Sequence, residues 1–119
     1  MPFVILAGSL LVACASTPPP TGELAAAARS VENARAAGAS NYASPELDLA
    51  DQRLGEAHAA ETAQDYDGAA RLALEAQASA DLAVARSHLG KARDAVQALK
   101  QQNAALQQDL DSGNGGQQQ

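Results

Sequence analysis

The side chains best able to do chemistry in this sequence are one cysteine and two histidines. Cys14, the single cysteine of the 119-residue chain, directly follows an uncharged apolar segment at residues 3–13. A thiolate is a strong nucleophile, and a lone cysteine has no intramolecular disulfide partner. The apolar segment is too short to cross a bilayer but has the length of the hydrophobic part of a signal peptide. We therefore predict that residues 1–13 are a signal peptide, processed next to Cys14.

The residues around the cysteine, Leu11-Val12-Ala13-Cys14, resemble the lipobox of bacterial lipoproteins. The resemblance implies cleavage between Ala13 and Cys14 and attachment of diacylglycerol to the Cys14 sulfur. Two or three acyl chains, palmitate among them, anchor a protein stably to a membrane. In that family an Asp after the cysteine retains the protein in the inner membrane, and here the next residue is Ala15, which indicates the outer membrane. The alternative is an ordinary N-terminal helix with a free, buried thiol.

The two histidines offer no active site by their spacing. His58 and Glu61 lie one helical turn apart and could give two metal ligands, but no third ligand is evident. His88 lies far along the next predicted helix, so the histidines are expected ~20 Å or more apart. We predict solvated histidines, no catalytic residues, no metal and no cofactor, so that the protein is not an enzyme.

Composition excludes several other classes of protein. The net charge is -6, and the 8 basic residues are scattered, so nucleic-acid binding is not expected. Trp is absent, and alanine accounts for 30 residues. A wide aromatic pocket for a small-molecule substrate is therefore not expected either.

The elements that carry these residues are predicted to be helices only. Strong helix formers dominate from Glu23 to Asp111, and no run of β-branched residues competes. The first helix, Glu23–Ala37, ends at Gly38, and its apolar positions are Leu24, Ala28, Val31 and Ala34. The prolines before it predict an extended, lipidated tether over residues 14–22. Residues 23–111 form the helical domain, and residues 112–119 are expected to be a flexible tail.

Two further helices follow. Ser44-Pro45-Glu46 opens the second, with the Ser44 hydroxyl as its expected cap. Asp65 is the expected cap of the third, which runs from about Asp67 to Asp111. The short connection makes these two helices an antiparallel hairpin.

The third helix has two apolar faces, and the second helix can cover only one of them. The first face contains Leu72, Ala73, Ala76, Ala80 and Ala83, and the second contains Ala78, Leu82, Ala85, Leu89, Ala92, Val96 and Leu99. We expect helix one or a second protomer to cover the second face.

The second face continues with heptad spacing to the end of the helix. Residues 82, 89, 96, 103 and 110 take position a, and residues 85, 92, 99 and 106 take position d. This pattern predicts an oligomer interface, a parallel two-stranded coiled coil, formed by Leu89, Val96, Leu99, Asn103, Leu106 and Leu110. The alternative is a frayed, solvated helix end.

Two segments together resemble a known family. One is Ala34–Ala39 followed by Tyr42-Ala43-Ser44-Pro45-Glu46-Leu47, and the other is Asp65–Ala73, which begins Asp-Tyr-Asp-Gly. In this order they are similar to the proteobacterial envelope family called domain of unknown function 4398, over roughly Glu23 to Lys100. The resemblance implies a helix, a turn and a tetratricopeptide-like hairpin.

The function expected from these features is structural or accessory. The chain is predicted to be a non-enzymatic outer-membrane lipoprotein whose domain faces the periplasm and binds itself or another envelope protein. The alternative is a periplasmic adaptor or holdase-like module that binds clients in the groove of the hairpin.

Overall fold

The computed structural model describes residues 17–116, which contain four α-helices and no strand. The helices are α1 (Thr21–Ala36), α2 (Ala39–Tyr42), α3 (Ser44–Thr62) and α4 (Tyr66–Gly115). The predicted all-α fold, a helical hairpin with a shorter N-terminal helix and a long last helix, is confirmed. No helix within residues 17–116 combines the length and the apolar character needed to span a membrane.

The predicted signal peptide, the cleavage site at Ala13 and the lipidation site at Cys14 lie outside the described residues. So do the last three residues of the predicted tail.

The helices end and begin at residues that favour turns and caps. Gly38 adopts the left-handed conformation, φ 89°, which ends α1 and redirects the chain. Asp65 caps α4, because its Oδ1 accepts a hydrogen bond from the backbone N–H of Gly68 at 3.0 Å. The Asp65 cap is therefore confirmed.

Several details differ from the predictions. The Ser44 hydroxyl caps nothing: the Ala43 carbonyl already accepts the Leu47 N–H, so α3 starts one residue earlier and Ser44 lies inside the helix. The four-residue α2 was not predicted, because so short a segment has no periodicity to detect. On α1, Ala27 rather than Ala28 is buried.

The helix ends also extend beyond the predicted bounds. α1 begins at Thr21, within the predicted tether, and α4 continues to Gly115 rather than ending at Asp111. Once a long helix has formed, each added residue gains one hydrogen bond, so propagation outweighs the poor propensity of the terminal Ser and Gly.

The core has two layers, both filled mainly by alanine. Near the α3–α4 turn the buried residues are Leu24, Ala27, Ala57, Ala73 and Ala76. Farther from the turn they are Val31, Ala34, Ala39, Ala43, Leu47, Ala50, Ala80 and Ala83. The order of these contacts makes α1 parallel to α4 and antiparallel to α3, so α1 lies in the groove of the hairpin.

Candidate functional site

The helix α4 extends well past the bundle. Its last buried residue is Ser87, and every residue from Lys91 to Gly116 is exposed. At ~1.5 Å per residue the segment Lys91–Gly115 is about 37 Å long. We call this segment the overhang.

An apolar row runs along α4 and continues onto the overhang. This α4 stripe consists of the heptad a and d residues Leu82, Ala85, Leu89, Ala92, Val96, Leu99, Asn103, Leu106 and Leu110. The exposed fractions of its larger apolar members are Leu82 47%, Leu89 49%, Val96 51%, Leu99 58%, Leu106 60% and Leu110 68%. All six residues predicted as an oligomer interface therefore lie on one exposed face within this chain.

The covered face of α4 is the opposite one. Its buried residues are Ala69, Ala73, Ala76, Ala80, Ala83 and Ser87. In the same heptad these residues take positions b and f, which point away from the a and d positions. Because α1 and α3 both pack on this covered face, helix one does not cover the second apolar face.

Charges differ along the two edges of the α4 stripe. The basic edge, at position e, consists of Arg86, Arg93 and Lys100. The mixed edge, at position g, consists of Asp81, His88, Ala95 and Gln102. Leu89, Val96, Arg93 and Lys100 are among the residues that line an open, largely apolar depression. An open surface of this kind suits another helix better than a small molecule.

A tyrosine from α2 marks the place where the bundle ends and the overhang begins. The Tyr42 ring lies against the backbone of Gly90, where a Cβ would come within 2.4 Å of the ring Cδ1. The Tyr42 hydroxyl donates a hydrogen bond to Asp94 Oδ2 at 2.7 Å. That hydrogen bond, with partial burial and the nearby negative charge, raises the pKa of Tyr42 above its ordinary value.

The contact between Tyr42 and Gly90 was not predicted from the sequence. A glycine inside an otherwise strongly helical segment was the available signal, because such a glycine lowers helix stability unless something needs the space.

Ion pairs between helices fix the bundle on which α4 is held. The Arg35 guanidinium of α1 contacts both carboxylate oxygens of Asp51 in α3, at 2.5 and 2.6 Å. Arg86 of α4 pairs with Glu46 of α3. Arg35, Asp51 and Arg86 are about half exposed, so the Arg35–Asp51 pair adds little stability, whereas the Glu46 side chain is only 13% exposed.

A second group of charges lies near the middle of α3. Arg53 donates to Glu56 at 2.7 Å and lies 3.4 Å from Glu75 of α4. The hydrogen bond to Glu56 raises the pKa of Arg53, and hydrogen bonds from Gln52 and Arg53 lower the pKa of Glu56. This group joins α3 to α4 but encloses no cleft.

Both histidines lie on exposed helix surfaces. His58 Nδ1 lies 3.6 Å from Glu61 Oε2 on an exposed surface of α3, and His88 lies on the mixed edge of α4. Across residues 17–116, no group of three or more His, Cys, Asp or Glu side chains could hold a metal ion.

Comparison with known proteins gives one match. No curated protein and no solved structure matches the chain. One family does match, over residues 22–99, which cover α1 from its second residue, all of α2 and α3, and α4 as far as Leu99 in the overhang. The chain therefore belongs to the family described as Domain of unknown function (DUF4398).

Proposed function

We propose that this protein is a non-enzymatic lipoprotein of the outer membrane whose helical domain has a structural or accessory role through contact with itself or another envelope protein. A lipid anchor on Cys14 is its attachment to the membrane, and the domain faces the periplasm. The α4 stripe is the contact surface.

The observation that carries this proposal is the exposed α4 stripe. Its larger residues, from Leu82 to Leu110, are about half exposed or more, although the sequence repeats them with the regularity of a helix interface. A contiguous apolar surface of this length on a soluble domain is typical of a protein interaction site. The packed alanines of the bundle lie behind its first part only, from Leu82 to Leu89.

The binding of clients in the hairpin groove is less well supported. α1 already lies in the groove between α3 and α4, where Leu24 and Val31 are 5% and 2% exposed. A client could enter only by displacing these two side chains, whose burial contributes about 1.5–3 kcal/mol each. An accessory role through the outer surface of α4 requires no such displacement.

Support for the anchor comes from sequence. Leu11-Val12-Ala13-Cys14 has the lipobox pattern, and Pro18-Pro19-Pro20 follows it. Proline cannot join a helix interior, and α1 begins only at Thr21, so the residues before it would separate the helical domain from the lipid surface.

The anchor is tested by expressing the full chain, separating the membranes and measuring the mass of the N-terminal peptide. We expect a diacylglyceryl thioether at Cys14 and recovery with the outer membrane. Cys14→Ala should accumulate as an unprocessed precursor. Ala15→Asp should be lipidated but retained in the inner membrane.

Thr17→Ala is the matched control, because Thr17 is exposed and lies outside the lipobox. This variant should be processed like the natural chain. An unmodified thiol at Cys14 in the native protein would overturn the proposed anchor.

The interaction is tested by photo-cross-linking in intact cells, with the photoreactive residue at Val96 on the α4 stripe or at Gln101 on the opposite side of α4. A discrete adduct from Val96 and none from Gln101 supports an accessory role. A broad smear of many clients from both positions favours a holdase and contradicts the proposal.

A further inference from the structure

We propose that the partner of the α4 stripe is a second copy of this chain, paired with the first as a parallel, in-register coiled coil. The proposal rests on the proposed function for the contact surface but not for the lipid anchor. Its test below reports self-association alone, so that it can fail while the anchor stands, or stand while the anchor fails.

The overhang lacks the packing that stabilises most helices. Lys91 lies beside Gly38 and Asp94 accepts a hydrogen bond from Tyr42, but no residue from Lys91 to Gly115 is buried. Most helices in proteins gain their stability from packing of an apolar face rather than from propensity. The overhang has such a face, with Val96, Leu99, Leu106 and Leu110, but no surface within the described chain covers it. A second helix along the α4 stripe supplies the missing packing.

The position of the bundle leaves the α4 stripe open to a second α4 helix. The bundle occupies positions b and f of the α4 heptad, from Ala69 to Ser87, on the side away from the α4 stripe. Two α4 helices can therefore meet along their stripes from Leu82 onward while both bundles remain on the outside. This arrangement lets the pairing begin beside the bundle and continue to Leu110, over about 43 Å.

Asn103 indicates which partner fits the α4 stripe. Asn103 is the one polar residue of the α4 stripe, at position a between Val96 and Leu110. A buried amide needs a hydrogen-bonding partner, and an amide can both donate and accept. The second copy's Asn103 meets this need in one register only, in a parallel coil without offset. An Asn at a position a also favours two strands over three or four.

The charges on the two edges of the α4 stripe indicate whether the two α4 helices run parallel or antiparallel. In an antiparallel coil the e positions of the two helices face each other, which would oppose the basic edges, Arg86, Arg93 and Lys100. In a parallel coil each e residue faces a g residue of the mixed edge. Asp81 then lies opposite the second copy's Arg86, which is the one pair of opposite charge. The other pairs of facing residues are His88 with Arg93, Ala95 with Lys100 and Gln102 with Gln107. The charges therefore favour the parallel pair.

The test is thiol cross-linking of the full chain in intact cells. Ala85→Cys and Leu106→Cys are made separately, at two d positions near opposite ends of the α4 stripe. A short bis-maleimide, which needs no oxidising compartment, is then added. We expect a dimer from each variant, because equivalent d residues adjoin in a parallel, in-register coil. An antiparallel coil can bring together only one of these two pairs.

Two controls make the result specific. Ala98→Cys places the thiol at position c, facing away from the seam, and should give no dimer. The parent chain reports any reaction of Cys14 itself, and peptide mass spectrometry identifies the bridged residue. A charge is then introduced into the Ala85→Cys chain. Leu99→Glu should abolish the dimer, whereas Gln101→Glu, at position f, should leave it unchanged.

Dimers at both Ala85→Cys and Leu106→Cys, absent at Ala98→Cys and lost with Leu99→Glu, support the proposal. A dimer at only one of the two d positions overturns the parallel arrangement. No dimer at either position, or adducts of another mass, overturns the second copy as the partner and assigns the surface to a different protein.

Discussion

At the scale of single residues, the contact between Tyr42 and Gly90 connects the bundle to the overhang. The ring covers the place where a side chain at Gly90 would stand, and the hydroxyl reaches Asp94 one turn later. The short helix α2 thus contacts α4 just after Ser87, the last buried residue of α4, where the exposed part of the helix begins.

Gly90→Ala is expected to destabilise the protein. An alanine gains about 1 kcal/mol of helix propensity, but its Cβ would lie 2.4 Å from the Tyr42 ring and displace it. Overpacking of this kind costs about 1–3 kcal/mol. Gly55→Ala is the matched control, because nothing lies within 4 Å of its Cβ, and it should raise stability. Urea unfolding measures both, and equal effects at the two glycines would contradict the proposed contact.

Alkaline pH should weaken the same contact. The pKa of Tyr42 is raised in the folded protein by its hydrogen bond to Asp94, so this hydrogen bond stabilises the fold fully below the unfolded value of about 10. The contribution is lost as the pH rises through the higher folded value, when the phenol loses its donor proton.

Spectrophotometric titration of Tyr66→Phe, in which Tyr42 is the remaining tyrosine, measures this pKa. Asp94→Asn should bring it back toward about 10. A titration midpoint that Asp94→Asn leaves unchanged would show that the hydrogen bond does not control the tyrosine.

At the scale of elements, the sequence predicted the helices well because their ends are marked by strong local signals. Gly38 in the left-handed conformation and the Asp65 cap each act within a few residues, so both could be identified without tertiary information. The Ser44 cap failed because one additional backbone bond, from Leu47 to Ala43, shifted the helix start. The contact of Tyr42 with α4 joins residues far apart in the chain, and no local pattern encodes it.

The alanine core should tolerate no enlargement where α4 meets the other helices. Ala80 is 0% exposed and belongs to the core layer that contains Val31 and Leu47. Ala80→Leu should therefore lower the free energy of unfolding by about 1–3 kcal/mol or more. Ala98→Leu, on the exposed overhang, should change it by less than ~0.5 kcal/mol. Denaturant titration compares the free energies of unfolding of the two variants. An unchanged free energy of unfolding in Ala80→Leu would indicate that the core around Ala80 is packed more loosely than in the structure.

At the scale of the whole molecule, a thin core and a long exposed helix predict modest stability that depends on association. The two core layers contain few residues larger than alanine, namely Leu24, Val31 and Leu47, with Leu54, Leu72 and Val84 partly buried. We infer that pairing along the α4 stripe adds a substantial share of the total stability.

The thermal midpoint of the unlipidated domain should lie at or below ~65 °C and should rise with protein concentration. Circular dichroism at several concentrations measures both properties. Leu99→Glu should remove the concentration dependence, and Gln101→Glu should keep it. A midpoint far above ~65 °C that does not change with concentration would contradict the thin core and the pairing together.

The single helix α4 is packed against the bundle in its first part and exposed in its last part. The rate of amide hydrogen exchange should therefore rise sharply at one position along this helix. In a single copy, slow amide exchange should reach only as far as Ser87. The amides beyond Gly90 should exchange much faster, because this part of the helix can unfold locally while the bundle stays folded. Pairing along the α4 stripe should move this rise toward Leu106. The position of the rise along α4 therefore measures how far two chains are paired, residue by residue.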